Sequence, residues 1–96
     1  MTNIDLEGVY VFETSKYKDN RGTFTVPFNL KEFRERTNFY EDFVQDNLST
    51  SKKGVLRGLH YQVKNPQGKF VKVIKGSVQD VIVDLRQLSP TFFFFF

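Results

Sequence analysis

The chain is a succession of short β-branched and aromatic runs, each cut off by glycine, proline, asparagine or aspartate. That punctuation constrains the fold most, because apolar runs of about four to eight residues closed by turn formers read as strands. Residues 8–13 predict a first strand. Asp19, Asn20 and Gly22 predict a turn over 17–22, since Asp and Asn close local turns and glycine tolerates positive φ. A strand over 23–26 follows and stops at Pro27. Further strands are expected at 43–48, 55–62, 69–74 and 78–84. A polar loop at 49–54 and a Pro66-Gln67-Gly68 turn separate the first three, and Lys75-Gly76-Ser77 closes a hairpin between the last two. One segment breaks the pattern. Over 29–36, Asn29 serves as N-cap, Glu32 completes a capping box, and Leu30 with Phe33 forms a short apolar stripe, so a helix is expected there. Many short strands with one short helix predict an all-β domain of antiparallel strands, a sandwich or jelly roll.

Ninety-six residues make at most one small domain with a modest core. The sequence has no cysteine, which excludes a disulfide framework and fits a reducing, cytoplasmic setting. Residues 1–8 include Asp5 and Glu7 and lack a basic start followed by an apolar run, so no signal peptide is expected. No stretch has the apolar length needed to span a membrane. The formal charge of +3 is small and its lysines and arginines are interspersed with acids, which argues against nucleic acid as a partner. A mild positive bias suits a small anionic ligand.

Residues 92–96 are five consecutive phenylalanines, a run that fits neither an alternating strand nor an amphipathic helix. Uncovered, such a segment is an aggregation hazard. It reads either as the product of a repetitive coding tract that ended a longer protein early, or as an aromatic anchor for a partner or membrane surface. The first reading is preferred, because anchors carry flanking cationic or interfacial residues and this run has none nearby. Residues 1–91 are accordingly expected to form part of one domain, with 92–96 an aberrant tail.

His60 is the only histidine, and with no cysteine beside it a zinc, copper or non-haem iron site has little to be built from. No metal and no cofactor is expected. Proton transfer, hydrogen bonding or packing remains for the imidazole, whose unperturbed titration lies near physiological pH. Arg57, Gly58 and Gln62 stand close to it in sequence.

Five motifs occur in a recognisable order: Asp19-Asn20-Arg21-Gly22; Phe43-Val44-Gln45-Asp46-Asn47; Lys53-Gly54-Val55-Leu56-Arg57-Gly58-Leu59-His60-Tyr61-Gln62; Pro66-Gln67-Gly68-Lys69; and Asp84-Leu85-Arg86 with Ser89-Pro90-Thr91-Phe92. In order and spacing the chain resembles the dTDP-4-dehydrorhamnose 3,5-epimerases, cupin-fold enzymes of deoxysugar biosynthesis. The resemblance runs from about Gly8 to Phe92 and corresponds to the N-terminal half of a family member. It implies a truncated cupin-type jelly roll and metal-free inversion of C3 and C5 in a dTDP-linked 4-keto-6-deoxyhexose, in a cytoplasmic enzyme that is a homodimer at full length.

In that resemblance His60 matches the base that removes the proton α to the ketone, and Lys69 matches the lysine beside the keto oxygen. Arg21 and Arg57 match substrate-holding positions where a planar donor fork suits phosphate. Gln45 and Asn47 match polar residues lining the site, and Phe24 an aromatic associated with nucleotide or dimer contacts. The tyrosine acid and the carboxylate that orients the histidine belong to the family's second half, so the chain alone is expected to be inactive. Two positions depart from the pattern: Val26 stands where a glutamate is common, and Leu48 where many members have histidine. An alternative of a different class is a non-catalytic sugar-nucleotide-binding or assembly module.

Plainer roles compete at each position. A lone strand histidine is more often packed than catalytic, Lys69 and Arg57 are ordinarily solvated, residues 45–47 and Arg21 can be simple turn residues, and Phe24 can be core. Parity adds a geometric condition. Arg57 and His60 point to opposite faces of a regular strand, so a shared site requires an irregularity between them, expected at Gly58. Gln45 and Asn47 have the same parity and share a face.

Overall fold

A computed structural model describes residues 4–96. The order of elements is strand β1 (Lys16–Asp19), strand β2 (Gly22–Thr25) and helix α1 (Leu30–Thr37). The chain divides into two compact units, Met1–Asp42 with Val81–Phe96, and Phe43–Asp80.

In the first unit, β1 and β2 form an antiparallel hairpin that pairs Lys16 with Thr25, Tyr17 with Phe24 and Asp19 with Gly22. The turn is narrower than the sequence predicts. Lys16–Asp19 lacks the apolar alternation of a half-buried strand and is exposed throughout. It is a strand because a ladder propagates outward from a tight reversal through backbone hydrogen bonds. Gly22 takes the positive φ of that reversal, 133°, with nothing within 4 Å of where a Cβ would stand.

Helix α1 starts where expected. The Asn29 side chain accepts from the Glu32 backbone N–H at 3.0 Å. Glu32 turns forward to Arg36, 3.0 Å away, a favourable order of charges one helical turn apart. Asn38, left-handed at φ 55°, ends the helix by donating its N–H to the Arg34 carbonyl. Leu30 is 48% exposed, so the expected two-residue stripe reduces to Phe33. Phe33 is buried among Phe12, Phe28 and Phe39, with ring centroids 5.8, 5.6 and 6.1 Å away. Arg36 lies over the Phe12 ring.

Residues 92–96 are paired with the chain. Ile82 and Phe96 exchange both backbone hydrogen bonds at 2.9 and 3.0 Å, and the Asp84 N–H donates to Phe94 at 3.1 Å. An isolated antiparallel bridge joins Val83 to Phe95. The turn between is fastened by the buried carboxylate of Asp84. It accepts from Arg86 Nε and Nη2 at 2.9 and 3.1 Å and from the Thr91 hydroxyl at 2.6 Å. Arg86 first, then Ser89 and Thr91, hold the Asp84 carboxyl far below the usual carboxylate range.

In Phe43–Asp80 the expected strands at 43–48, 55–62, 69–74 and the start of 78–84 are not formed among the described residues, nor is the expected hairpin around Gly76. The first expected strand, 8–13, is reduced to an isolated bridge residue at Val11. The physical reason is pairing. A β-rich run becomes a strand only when a neighbour satisfies its backbone and covers its apolar side. Here Val44, Leu56, Val63 and Val71 are 70% exposed or more. The Phe43 and Phe70 rings stand 6.2 Å apart and form an aromatic contact within this unit. The described residues thus hold one two-stranded antiparallel sheet and one short helix, and the jelly roll expected from the sequence is not visible among them.

Candidate functional site

The expected site residues divide between the two units. Arg21 and Phe24 sit on the β1–β2 hairpin of the first. Gln45, Asn47, Arg57, His60 and Lys69 lie in the second.

On the hairpin, Arg21 folds back on Asp19, donating from Nη2 at 2.6 Å and from its own backbone N–H at 2.8 Å. The pair is exposed, with the Arg21 side chain 90% accessible. The guanidinium lowers the Asp19 carboxyl below its ordinary range, and Arg21 is raised in turn. Phe24 faces Tyr17 across the ladder, and both are 65% exposed, so core packing does not account for Phe24. An exposed aromatic pair beside an arginine offers stacking area and a fork of donors for an anion.

In the second unit the Gln45 amide donates to Asn47 Oδ1 at 2.9 Å, a local contact that brings these two side chains together without the strand expected over 43–48. Arg57 reaches back to the preceding loop, donating from Nε to Ser51 Oγ at 2.8 Å and from Nη2 to the Thr50 carbonyl at 3.0 Å. Those partners fall in the polar loop over 49–54 and were not singled out from the sequence. Gly58 takes a positive φ of 111°, and because no strand forms over 55–62 the face parity of Arg57 and His60 is not tested there. A Cβ there would stand 3.4 Å from His60 Nδ1, so the glycine leaves room for the imidazole.

His60 is exposed, and among the described residues no hydrogen bond or ion pair reaches its ring. Packing therefore does not explain it. Lys69 is likewise exposed, next to the anchored Phe70. No hydrogen bond or ion pair among the described residues joins Arg57, His60 and Lys69 to one another. What the arrangement offers is a set of accessible groups: an imidazole able to take a proton, an ammonium able to meet negative charge, and polar amides.

The comparisons with known proteins agree with one another. The profile of the dTDP-4-dehydrorhamnose 3,5-epimerase family matches residues 3–96. A dTDP-4-dehydrorhamnose 3,5-epimerase of Pseudomonas aeruginosa is 47% identical over 91 residues, covering 95% of this chain and 50% of that protein. Relatives of the same name from Shigella flexneri and Methanothermobacter thermautotrophicus are each 49% identical, over 92% and 91% of the chain. The chain spans about half the length of these curated relatives. No solved structure matches it significantly. No helix among the described residues is long and apolar enough to cross a membrane.

Proposed function

The chain belongs to the dTDP-4-dehydrorhamnose 3,5-epimerase family, and from that premise we propose that it carries the base-bearing half of a sugar-nucleotide epimerase. The carrying observation is the identity of 47–49% to proteins of that name over more than nine-tenths of the chain. The substrate is a dTDP-linked 4-keto-6-deoxyhexose, and the reaction inverts C3 and C5.

The chemistry follows from the ketone. C3 and C5 both flank C4, so each carries a proton made acidic by the carbonyl, and one apparatus serves both positions. His60 in its neutral form takes the proton. The electron pair left behind moves into the ring bond and onto the keto oxygen, and the Lys69 ammonium stabilises the enolate that forms. An acid on the opposite face then returns a proton to carbon, inverting the centre. Arg21 and Arg57 hold the diphosphate, Gln45 and Asn47 meet the sugar, and Phe24 stacks on the base. The opposing tyrosine acid and the carboxylate that orients His60 belong to the half of the family that this sequence does not match, so turnover depends on that half. In the intact, homodimeric, cytoplasmic enzyme, segments 55–62, 69–74 and 78–84 become paired strands of a cupin jelly roll.

A second reading is favoured by one observation, that no hydrogen bond orients His60 among the described residues: a module that binds the sugar nucleotide without turning it over. Incubation with dTDP-4-keto-6-deoxyglucose in deuterated water, followed by proton NMR and by calorimetric titration, tests the choice. Deuterium entering C3 or C5 needs the base but not the opposing acid and supports the enzyme; binding without exchange supports the module and contradicts the base assignment.

A further inference from the structure

His60 and Lys69 are separated by one loop, and a single side-chain hydrogen bond closes it. Gln62 Oε1 accepts from the backbone N–H of Gln67 at 3.0 Å. Gln62 stands two residues after His60, and Gln67 two residues before Lys69. Inside the closure the chain bends at 63–65, and Asn65 takes a left-handed φ of 52°. On the far side Phe70 packs against Phe43 and fixes the start of the Lys69 segment. No backbone ladder spans 60–69, so the separation of imidazole and ammonium depends on this loop keeping its shape.

We propose that Gln62 is a positioning residue for the epimerase reaction, holding the His60–Lys69 loop through its bond to the Gln67 amide. This rests on the reading of His60 as base and Lys69 as enolate partner. Gln62 touches no reacting atom. Its side-chain oxygen closes the loop that joins the two segments and sets how far the enolate oxygen stands from the ammonium when the α-proton meets the imidazole. A base and an electrophile misaligned by about 1 Å lose roughly 10- to 100-fold in rate, while binding through the diphosphate is untouched.

The chemistry of the bond makes the test specific. Gln62→Glu keeps an acceptor of the same reach, whereas Gln62→Asn keeps the amide but is one methylene too short. Gln67→Ala keeps the backbone donor. With dTDP-4-keto-6-deoxyglucose in deuterated water, Gln62→Asn lowers kcat for exchange about 10-fold or more with KM nearly unchanged. Gln62→Glu and Gln67→Ala stay close to the parent. By NMR, Gln62→Asn exposes the Gln67 amide to exchange and shifts the His60 ring and Lys69 amide signals, and Gln62→Glu restores them. Equal kcat in Gln62→Asn and the parent overturns the proposal, as does an equal fall in the Asn and Glu variants or an unprotected Gln67 amide in the parent. His60→Ala separates the two readings: exchange that survives it removes the base assignment whatever Gln62 does. If the parent itself shows no exchange, the enzyme reading fails and the NMR signals alone decide the loop closure.

Discussion

Arg21 donates from Nη2 to the Asp19 carboxylate at 2.6 Å, so the guanidinium proposed to hold a diphosphate is already occupied by an internal anion. The contact closes the β1–β2 turn and competes with the ligand. Because Arg21 is 90% exposed, the pair contributes little to folding. Asp19→Asn removes the competing charge and keeps an oxygen for the Arg21 backbone N–H, so the hairpin persists. Affinity for dTDP, measured calorimetrically, rises about two- to fivefold at low salt, and the gain shrinks as ionic strength increases. Unchanged or weaker binding would remove Arg21 from the phosphate site.

Asp84 predicts an acid limb of stability. Its folded carboxyl is lowered, chiefly by Arg86, so over the acid range the native state binds fewer protons than the unfolded chain. The stabilisation is fully present above about pH 4, the ordinary aspartate range, and falls steadily as pH drops below it. Thermal melts from pH 7 to pH 2 should show that decline. In Asp84→Asn the melting temperature is lower at pH 7, and this part of the pH dependence flattens. An unchanged slope in the variant contradicts the assignment.

Helix α1 and its aromatic cluster hold the first unit together. Asn29→Ala loses the bond to the Glu32 N–H and costs about 1 kcal/mol. Phe33→Ala removes the shared partner of three other rings and costs about 3 kcal/mol. Urea denaturation followed by far-ultraviolet circular dichroism measures both, and the cluster is refuted if Phe33→Ala costs no more than Asn29→Ala.

What the sequence makes legible is what a few neighbouring residues decide. Asn29 and Glu32 mark the start of α1 because the cap bond spans only three residues. Gln45 and Asn47 fall together through a hydrogen bond two residues apart, although the strand whose parity suggested it is not formed. β1 is less legible, since Lys16–Asp19 is polar and becomes a strand only through its pairing with Gly22–Thr25. The segments over 55–62 and 69–74 have strand composition but no ladder, because ladder formation depends on a partner distant in sequence. The same limit applies to the proposed site: motif order nominates His60, Lys69 and Arg57, while bringing them together would depend on pairing that composition does not encode. The Asp84–Thr91 contact spans seven residues and carries no periodic signal.

The phenylalanine segment holds its place through its backbone. Phe95 is 74% exposed, so Phe95→Thr leaves the pairing intact. Phe96→Pro removes the N–H that donates to Ile82 and breaks it. Amide hydrogen exchange at Ile82 and Asp84 distinguishes the two: protection is retained in the threonine variant and lost at Ile82 in the proline variant. Equal protection in both would mean that 92–96 is not seated on 82–84.

The proposed reaction depends most heavily on His60 as the base that takes a proton from carbon. Deuterium incorporation at C3 and C5 of dTDP-4-keto-6-deoxyglucose, followed by NMR in deuterated water, tests it most directly. Exchange needs the base but not the opposing acid, so even without net epimerisation the chain should incorporate deuterium at both carbons, and His60→Ala should slow exchange about 100- to 10,000-fold while dTDP still binds. Exchange at the parent rate in His60→Ala, or binding with no exchange in the unsubstituted chain, would contradict it.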